Sequence, residues 1–307
     1  MRSADTQPTS DSWSLETLTV RQEDAVLFAA IDAPPMNLLG PELVRDLVSL
    51  IQRAEAEKTI KVLVFRSADP DYFISHVDLT KVAEYRQEAA RLTGEPSIAL
   101  LFRHLSVSRL VTIAQIEGRV RSAGSEFVLS CDMRFAARET AVFAQFESAF
   151  GQIPGGGATQ YLTRLIGRGR ALEVLLSASD FDANLAERYG WINRALPASD
   201  LHDFVEALAR RIGKFPDAGR EAIKQRVNAI ALAPTADFRR DSDLFGKEVQ
   251  TAQTQDRIAA AMSRGFQTRH AELNLSGLLE GLDHPATTQK GDPHGNHHRS
   301  ANDDDAG

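Results

Sequence analysis

Three short apolar runs, KVLVFRSA from Lys61, LVTIAQIEG from Leu110 and MRFAAR from Met133, are separated by stretches with other patterns, one of them long and helical. Apolar strands that alternate with helices leave little choice but an α/β fold, because each strand must reach the next through a helical connection. Upstream, LETLTV and DAVLFAAID read as two strands of a hairpin with RQED as the turn. A Pro-rich loop then leads into an amphipathic helix with Leu43, Leu47, Leu50 and Ile51 at helical spacing. AVFAQF and INRALP add two more short strands.

From about residue 156 the pattern turns helical: GGATQYLTRLIG, RALEVLLSA, ANLAERYG and SDLHDFVEALARRIGKF, with Gly167 and Gly190 where C-caps belong. Beyond Pro216, DAGREAIKQRVNAIAL and the long run from Asp237 to Leu273 read as two helices divided by APTA. The expected organisation is a disordered N-terminus over 1–12, a core over 13–214 and a helical C-terminal region over 215–280. A polar tail over 284–307 is too poor in apolar residues to offset its ordering entropy. His294, His297 and His298 lie in that tail, where nothing fixes ligand geometry, so no metal site is expected.

With 307 residues, 43% of them hydrophobic, the chain can bury a substantial core. A formal net charge of -7 gives no electrostatic reason to expect nucleic acid or an anionic membrane as partner. The single cysteine, Cys131, cannot form an internal disulfide and reads as a buried reduced thiol. MRSADTQPTSDS resembles neither a secretory signal nor a transit peptide, no run approaches the ~18 apolar residues of a membrane span, and DDDAG is not a peroxisomal address. A cytoplasmic location is expected by elimination.

The chemistry concentrates in two glutamates. SAGSEFVLSC reads as the start of a buried helix whose small first residues, Ser122 to Ser125, let another group approach the backbone. Free N–H groups and the helix dipole there stabilise negative charge, which is half of an oxyanion site. Glu126 in that first turn either complements the dipole or takes part in the chemistry. FAQFESAFGQIPGGGATQ places Glu147 in a loop between a strand and a Gly-rich segment. Two carboxyls in different environments can take opposite proton-transfer roles.

Over roughly residues 14 to 270 the chain resembles the enoyl-CoA hydratase/isomerase superfamily, the crotonases. The resemblance is carried by IAQIEGRVRSAGSEFVLSCDMRFAA, AQFESAFGQIPGGGATQYLTRLIGRGRALEVLLSA and AERYGWINRALP. It implies an α/β fold with a spiral core of ββα turns and a C-terminal α-helical appendage, assembled as a trimer or a dimer of trimers. It also implies an acyl-CoA thioester as substrate, with coenzyme A entering only as part of that substrate and no separate cofactor. The backbone N–H groups of Ser75, in YFISHVDL, and of Ala123 would hold the thioester oxygen. Glu126 would activate water and Glu147 would supply a proton, giving hydration of a 2-enoyl-CoA. The alternatives are a double-bond isomerase of the same fold and a non-catalytic acyl-CoA-binding protein.

The chain departs from the family pattern at several positions. Where the family has three glycines this chain has Ser122, Ala123 and Gly124: Gly124 keeps the glycine expected beside the substrate, and the change at Ala123 is tolerable if the backbone there is helical. Arg121 stands where a small or apolar residue is usual; it either lines the acyl pocket, pairing with an anionic or polar acyl group, or points outward into a subunit contact. His76 replaces a glycine, as part of a changed loop contacting coenzyme A or as an added acid–base group. Phe146 replaces a proline and narrows the acyl pocket. Asp78 caps the helix after DLTKV in preference to reacting.

Overall fold

The computed structural model describes residues 13–283. Ten strands form two sheets: β1 Leu18–Glu23, β2 Val26–Ile31, β3 Val62–Ser67, β4 Tyr72–Ile74, β5 Val111–Ile116, β6 Arg119–Arg121, β7 Met133–Ala137, β8 Val142–Ala144, β9 Phe181–Asp182 and β10 Arg194–Leu196. The larger sheet has the order β1-β2-β3-β5-β7-β10 and the smaller one β4-β6-β8-β9. β3, β5 and β7 are each followed closely by a short strand, β4, β6 and β8, that belongs to the other sheet, and within each sheet these strands run parallel. Each turn of the chain therefore contributes one strand to each sheet before a helical connection starts the next turn. This is a ββα spiral.

The helices are α1 Pro41–Ala56, α2 Val82–Thr93, α3 Ile98–Val107, α4 Ala123–Ser130, α5 Ala158–Ile166, α6 Arg168–Ser177, α7 Ala183–Tyr189, α8 Ala198–Gly213, α9 Asp217–Ala231, α10 Thr235–Glu248, α11 Ala252–Ser263, α12 Arg269–Glu272 and α13 Leu275–Glu280. None is long and apolar enough to cross a membrane among the described residues. The main core lies between the sheets and the inner helices, where Phe65, Phe73, Phe102 and Phe127 meet. α4 is buried along its whole length.

Several boundaries differ from the sequence reading. The hairpin turn is narrower than RQED, because β1 continues through Glu23 and only Asp24 and Ala25 lie between the strands. Asp24 takes the reversal at φ 50°, a conformation that Asp tolerates better than most residues. The long C-terminal run is not one helix. Thr251 caps α11 by accepting from the Thr254 N–H at 3.3 Å, and Gly265 at φ 90° turns the chain again before α12. The expected disorder of 1–12 and 284–307, and the tail histidines, lie outside the described residues.

Asp46 in α1 shows how the edge of the sheet is anchored. It is buried, and its Oδ2 accepts from the backbone N–H groups of Glu16 and Thr17, both at 2.7 Å, and from Thr17 Oγ1 at 2.9 Å. Removing this acceptor strands several donors in a place water reaches poorly. Asp46→Ala is expected to cost about 2–4 kcal/mol, read as a lower urea midpoint at unchanged slope.

Candidate active site

α4 begins one residue after β6 ends, and its first turn lies hard against the end of β4. A Cβ on Gly124 would sit 2.0 Å from the Ile74 carbonyl oxygen, so only glycine allows this approach. The contact brings together the two segments that carry Ser75 and Ala123. Ala123 is the first residue of α4, where an N–H has no intrahelical acceptor. Ser75 is fully buried, and its Oγ has no hydrogen-bond partner among the described residues. Ser122, which joins β6 to α4, has φ 48° and ψ −124°, a conformation that glycine adopts freely and serine only at a cost of about 1–3 kcal/mol. His76, by contrast, is not among the residues with positive φ, so replacing a glycine there carries no such strain.

Glu126 projects from the first turn of α4 into the Gly-rich segment ahead of α5. Its Oε1 accepts from the Gly156 N–H at 2.7 Å and the Ala158 N–H at 3.0 Å. A Cβ on Gly156 would lie 2.4 Å from Oε2, so this glycine makes room for the carboxyl. Glu147 opens a single 3-10 turn, Glu147–Phe150, and not the irregular loop the sequence suggested. Its Oε1 accepts from Ser122 Oγ at 2.7 Å. The Gln145 amide, turned so that its nitrogen faces the carboxyl, donates to Oε2 at 2.9 Å and Oε1 at 3.0 Å while its oxygen accepts from Ser125 Oγ at 3.1 Å. The strained Ser122 thus spans the two glutamates: its backbone starts the helix of one, and its hydroxyl holds the other.

Both carboxyls are buried, and burial pushes both well above the ordinary carboxylate range. Glu126 is raised further by the nearby charge of Glu147, against the opposing pull of its two backbone donors. The Glu147 carboxyl is drawn back by Ser122 and by the His76 ring. Two coupled carboxyls of this kind share their protons as a unit. Near neutral pH one can be ionised while the other stays protonated.

The structure corrects the reading of Arg121. It is fully buried, so it makes no outward subunit contact, and its guanidinium is already committed. Nε donates to Asp180 Oδ1 at 2.8 Å, Nη2 to Asp180 Oδ2 at 2.6 Å and Nη1 to the Glu272 carbonyl at 2.9 Å. The bidentate fork foreseen for an anionic acyl group is occupied by Asp180, which ties β6 to the segment before β9 and to α12. Asp78 is not the cap of α2, whose N-cap is Lys81. Instead Asp78 Oδ1 closes a local turn, accepting from the Thr80 N–H at 2.9 Å and Thr80 Oγ1 at 2.6 Å, and from Gln267 Nε2 at 3.1 Å. Phe146 sits in an aromatic cluster with Phe150, Phe266 and the His76 ring.

The comparisons with known proteins agree on one family. A family model described as enoyl-CoA hydratase/isomerase matches residues 21–268. The chain belongs to the enoyl-CoA hydratase/isomerase family. Among its relatives, the short-chain-enoyl-CoA hydratase of Clostridium acetobutylicum is 25% identical over 261 residues, covering 83% of this chain and 99% of the relative. A crystal structure from Streptomyces avermitilis, under a provisional enoyl-CoA hydratase name, is 50% identical with a TM-score of 0.85, covering 89% of this chain and 98% of that one. DspI of Pseudomonas aeruginosa is 26% identical with a TM-score of 0.65, covering 79% and 99%. The crotonase fold with a helical C-terminal region is that of this family of enzymes.

Sequence reasoning missed four groups of this candidate site: the N–H donors of Gly156 and Ala158, the Ser122 hydroxyl, Gln145 and the buried Glu272. The glycines were visible in the sequence as a Gly-rich segment, but their partner was not. Glu272 left no signal, since it lies 125 residues beyond Glu147 in a polar helical stretch. Among the described residues no cluster of three or more His, Cys, Asp or Glu is arranged to hold a metal ion.

Two outcomes follow from this geometry. A buried carboxyl with raised proton affinity adds stability that is present below the ordinary glutamate range and is lost as pH rises towards its folded value. The neutral isostere Glu126→Gln is therefore expected to match the parent near pH 4 and to exceed it by about 1–2 kcal/mol near pH 8, measured by urea denaturation at both pH values. Arg121→Ala leaves Asp180 and a buried carbonyl without their donor. It is expected to cost about 2–4 kcal/mol of stability, read as a lower melting temperature.

Proposed function

We propose that this chain is an enoyl-CoA hydratase, adding water across the 2,3 double bond of an acyl-CoA thioester. The observation that carries the reading is the pair of buried carboxyls, Glu126 and Glu147, brought together by the Ser122 turn at the start of α4, with burial raising the proton affinity of both. The relatives named as hydratases support it.

In this reading the N–H groups of Ser75 and Ala123 bind the thioester oxygen. They stabilise it most as negative charge builds there, and one such donor is worth about 3–4 kcal/mol of transition-state stabilisation. An ionised carboxylate takes a proton from water as the water oxygen bonds to C3. The C2–C3 π electrons move into the thioester as an enolate, and the protonated carboxyl then delivers its proton to C2. Following the family resemblance, Glu126 handles the water and Glu147 delivers the proton. The resulting 3-hydroxyacyl-CoA carries the oxygen, both protons of the water are accounted for, and the reverse path is elimination.

The hydration reading and its isomerase alternative separate on the fate of solvent oxygen. In heavy-oxygen water, crotonyl-CoA and related enoyl-CoA thioesters are expected to yield a 3-hydroxyacyl product bearing solvent oxygen. A shifted double bond without oxygen incorporation would establish isomerisation instead. Glu126→Gln and Glu147→Gln are each expected to lower kcat by about 10²–10⁴-fold with smaller changes in KM. Acyl-CoA binding with turnover indifferent to both substitutions would leave only a binding role.

A further inference from the structure

His76 and Glu272 form a second buried acid–base pair beside the two glutamates. His76 Nε2 lies 2.7 Å from Glu272 Oε1, and the two side chains are 1% and 0% exposed. The other ring nitrogen, Nδ1, lies 2.7 Å from the Val77 carbonyl. A carbonyl can only accept, so Nδ1 carries a hydrogen. One further proton then lies between Nε2 and the carboxyl, and the Gln267 N–H, donating to the same Oε1 at 2.8 Å, favours that oxygen as an acceptor. Glu272 Oε2 is buried with no hydrogen-bond partner among the described residues, an arrangement that simple packing would not select.

The placement of the ring is equally specific. His76 immediately follows Ser75, stacks on Phe266 with centroids 4.6 Å apart and planes 5° from parallel, and meets the edge of Phe146, the residue before Glu147. The titratable and charged groups around it are Glu272 from α12, Glu147 from the 3-10 turn after β8, Arg121 from β6, whose Nη1 holds the Glu272 carbonyl, and Tyr72 from β4. Asp78 and Glu126 lie in the flanking loop and in α4.

We propose that His76 and Glu272 are a positioning pair for the reaction: the carboxylate of α12 holds a charged imidazole beside the turn that carries Glu147, where it stabilises the carboxylate left when Glu147 gives up its proton. The C-terminal helical region thereby supplies a part of the acid–base machinery without touching the reacting atoms. The proposal rests on the hydratase reading for its catalytic consequence, but not for its electrostatic one.

The test is Glu272→Gln in the full chain. Both hydrogen bonds fall on Oε1, so glutamine keeps the size of the side chain but only one of them: with its amide donating to a neutral Nε2 the Gln267 N–H loses its acceptor, and the charge of the pair disappears. Nitrogen NMR at pH 7 is expected to show both His76 nitrogens protonated in the parent and only Nδ1 protonated in the variant. Loss of the nearby cation makes Glu147 hold its proton more tightly, so its carbon NMR titration and the basic limb of the pH–rate profile, which the proton donor sets, both move to higher pH by about one unit. At pH 7, kcat is expected to fall by about 10-fold or more with KM little changed. His76→Gln, which keeps Glu272 but loses the ring, is expected to move the Glu147 titration in the same direction, and decides the matter if Glu272→Gln does not fold. A folded variant with the parent's Glu147 titration overturns the proposal, as does a parent ring with a single protonated nitrogen. If the parent hydrates no enoyl-CoA, the hydratase reading fails while the two NMR measurements still decide the pair.

Discussion

The close approach of α4 to the end of β4 is the contact on which the site depends. The first turn of α4 can lie against the Ile74 peptide only because Gly124 has no side chain. That approach puts a free helix N-terminus beside the Ser75 loop, and it buries Glu126 within the same first turn. The chain must reverse sharply between β6 and α4 to achieve it, and the reversal falls on Ser122 in a backbone conformation suited to glycine. A serine there is costly. The compensation is its hydroxyl, which reaches Glu147 and couples the strained turn to the second carboxyl.

Burying two carboxyls together opposes folding, because desolvation and mutual repulsion both favour the neutral form. The protein answers with neutral donors and not with a buried lysine or arginine at hydrogen-bonding distance. Two backbone N–H groups serve Glu126, while a hydroxyl and an amide serve Glu147. Such donors moderate the proton affinity without removing it, so the pair stays able to exchange protons near neutral pH. An ion pair made directly with either glutamate would have lowered its proton affinity and disabled it as an acid. Arg121, which immediately precedes Ser122, is committed instead to Asp180.

The parts of this architecture that were legible in the sequence are those set by local pattern. β3, β5 and β7 are apolar runs, α1 has a clear helical face, and Gly167 and Gly190 do end helices. β4, β6 and β9 are two or three residues long, too short for any periodicity to register. They exist because the neighbouring strand supplies the pairing. Glu126 and Glu147 stood out because small residues and glycines surround them in sequence. Arg121 misled for a related reason: an arginine next to a reactive segment suggests an anionic ligand, and only the folded chain shows that a carboxylate from a distant segment, Asp180, has already taken its fork. The same holds for Glu272, whose role depends wholly on where α12 comes to rest.

That resting place changes the meaning of the C-terminal region. The sequence describes it as a helical appendage and runs straight through Thr251 and Gly265, where the folded chain breaks. In the fold those breaks steer α11 and α12 back across the site, where Phe266 stacks on His76 and packs with Phe146 and Phe150. Arg269 pairs with Asp69 and Asp71 just ahead of β4, and Gln267 bridges to Asp78 and the Leu79 N–H. These contacts flank β4 and the loop after it that carries Ser75. Ser75 and His76 lie buried where α12 packs through Glu272, and exclusion of water is what makes fixed dipoles and buried carboxyls effective. The terminal helices are therefore a structural wall of the site, and the spiral core alone would leave its two glutamates in a wetter and weaker field.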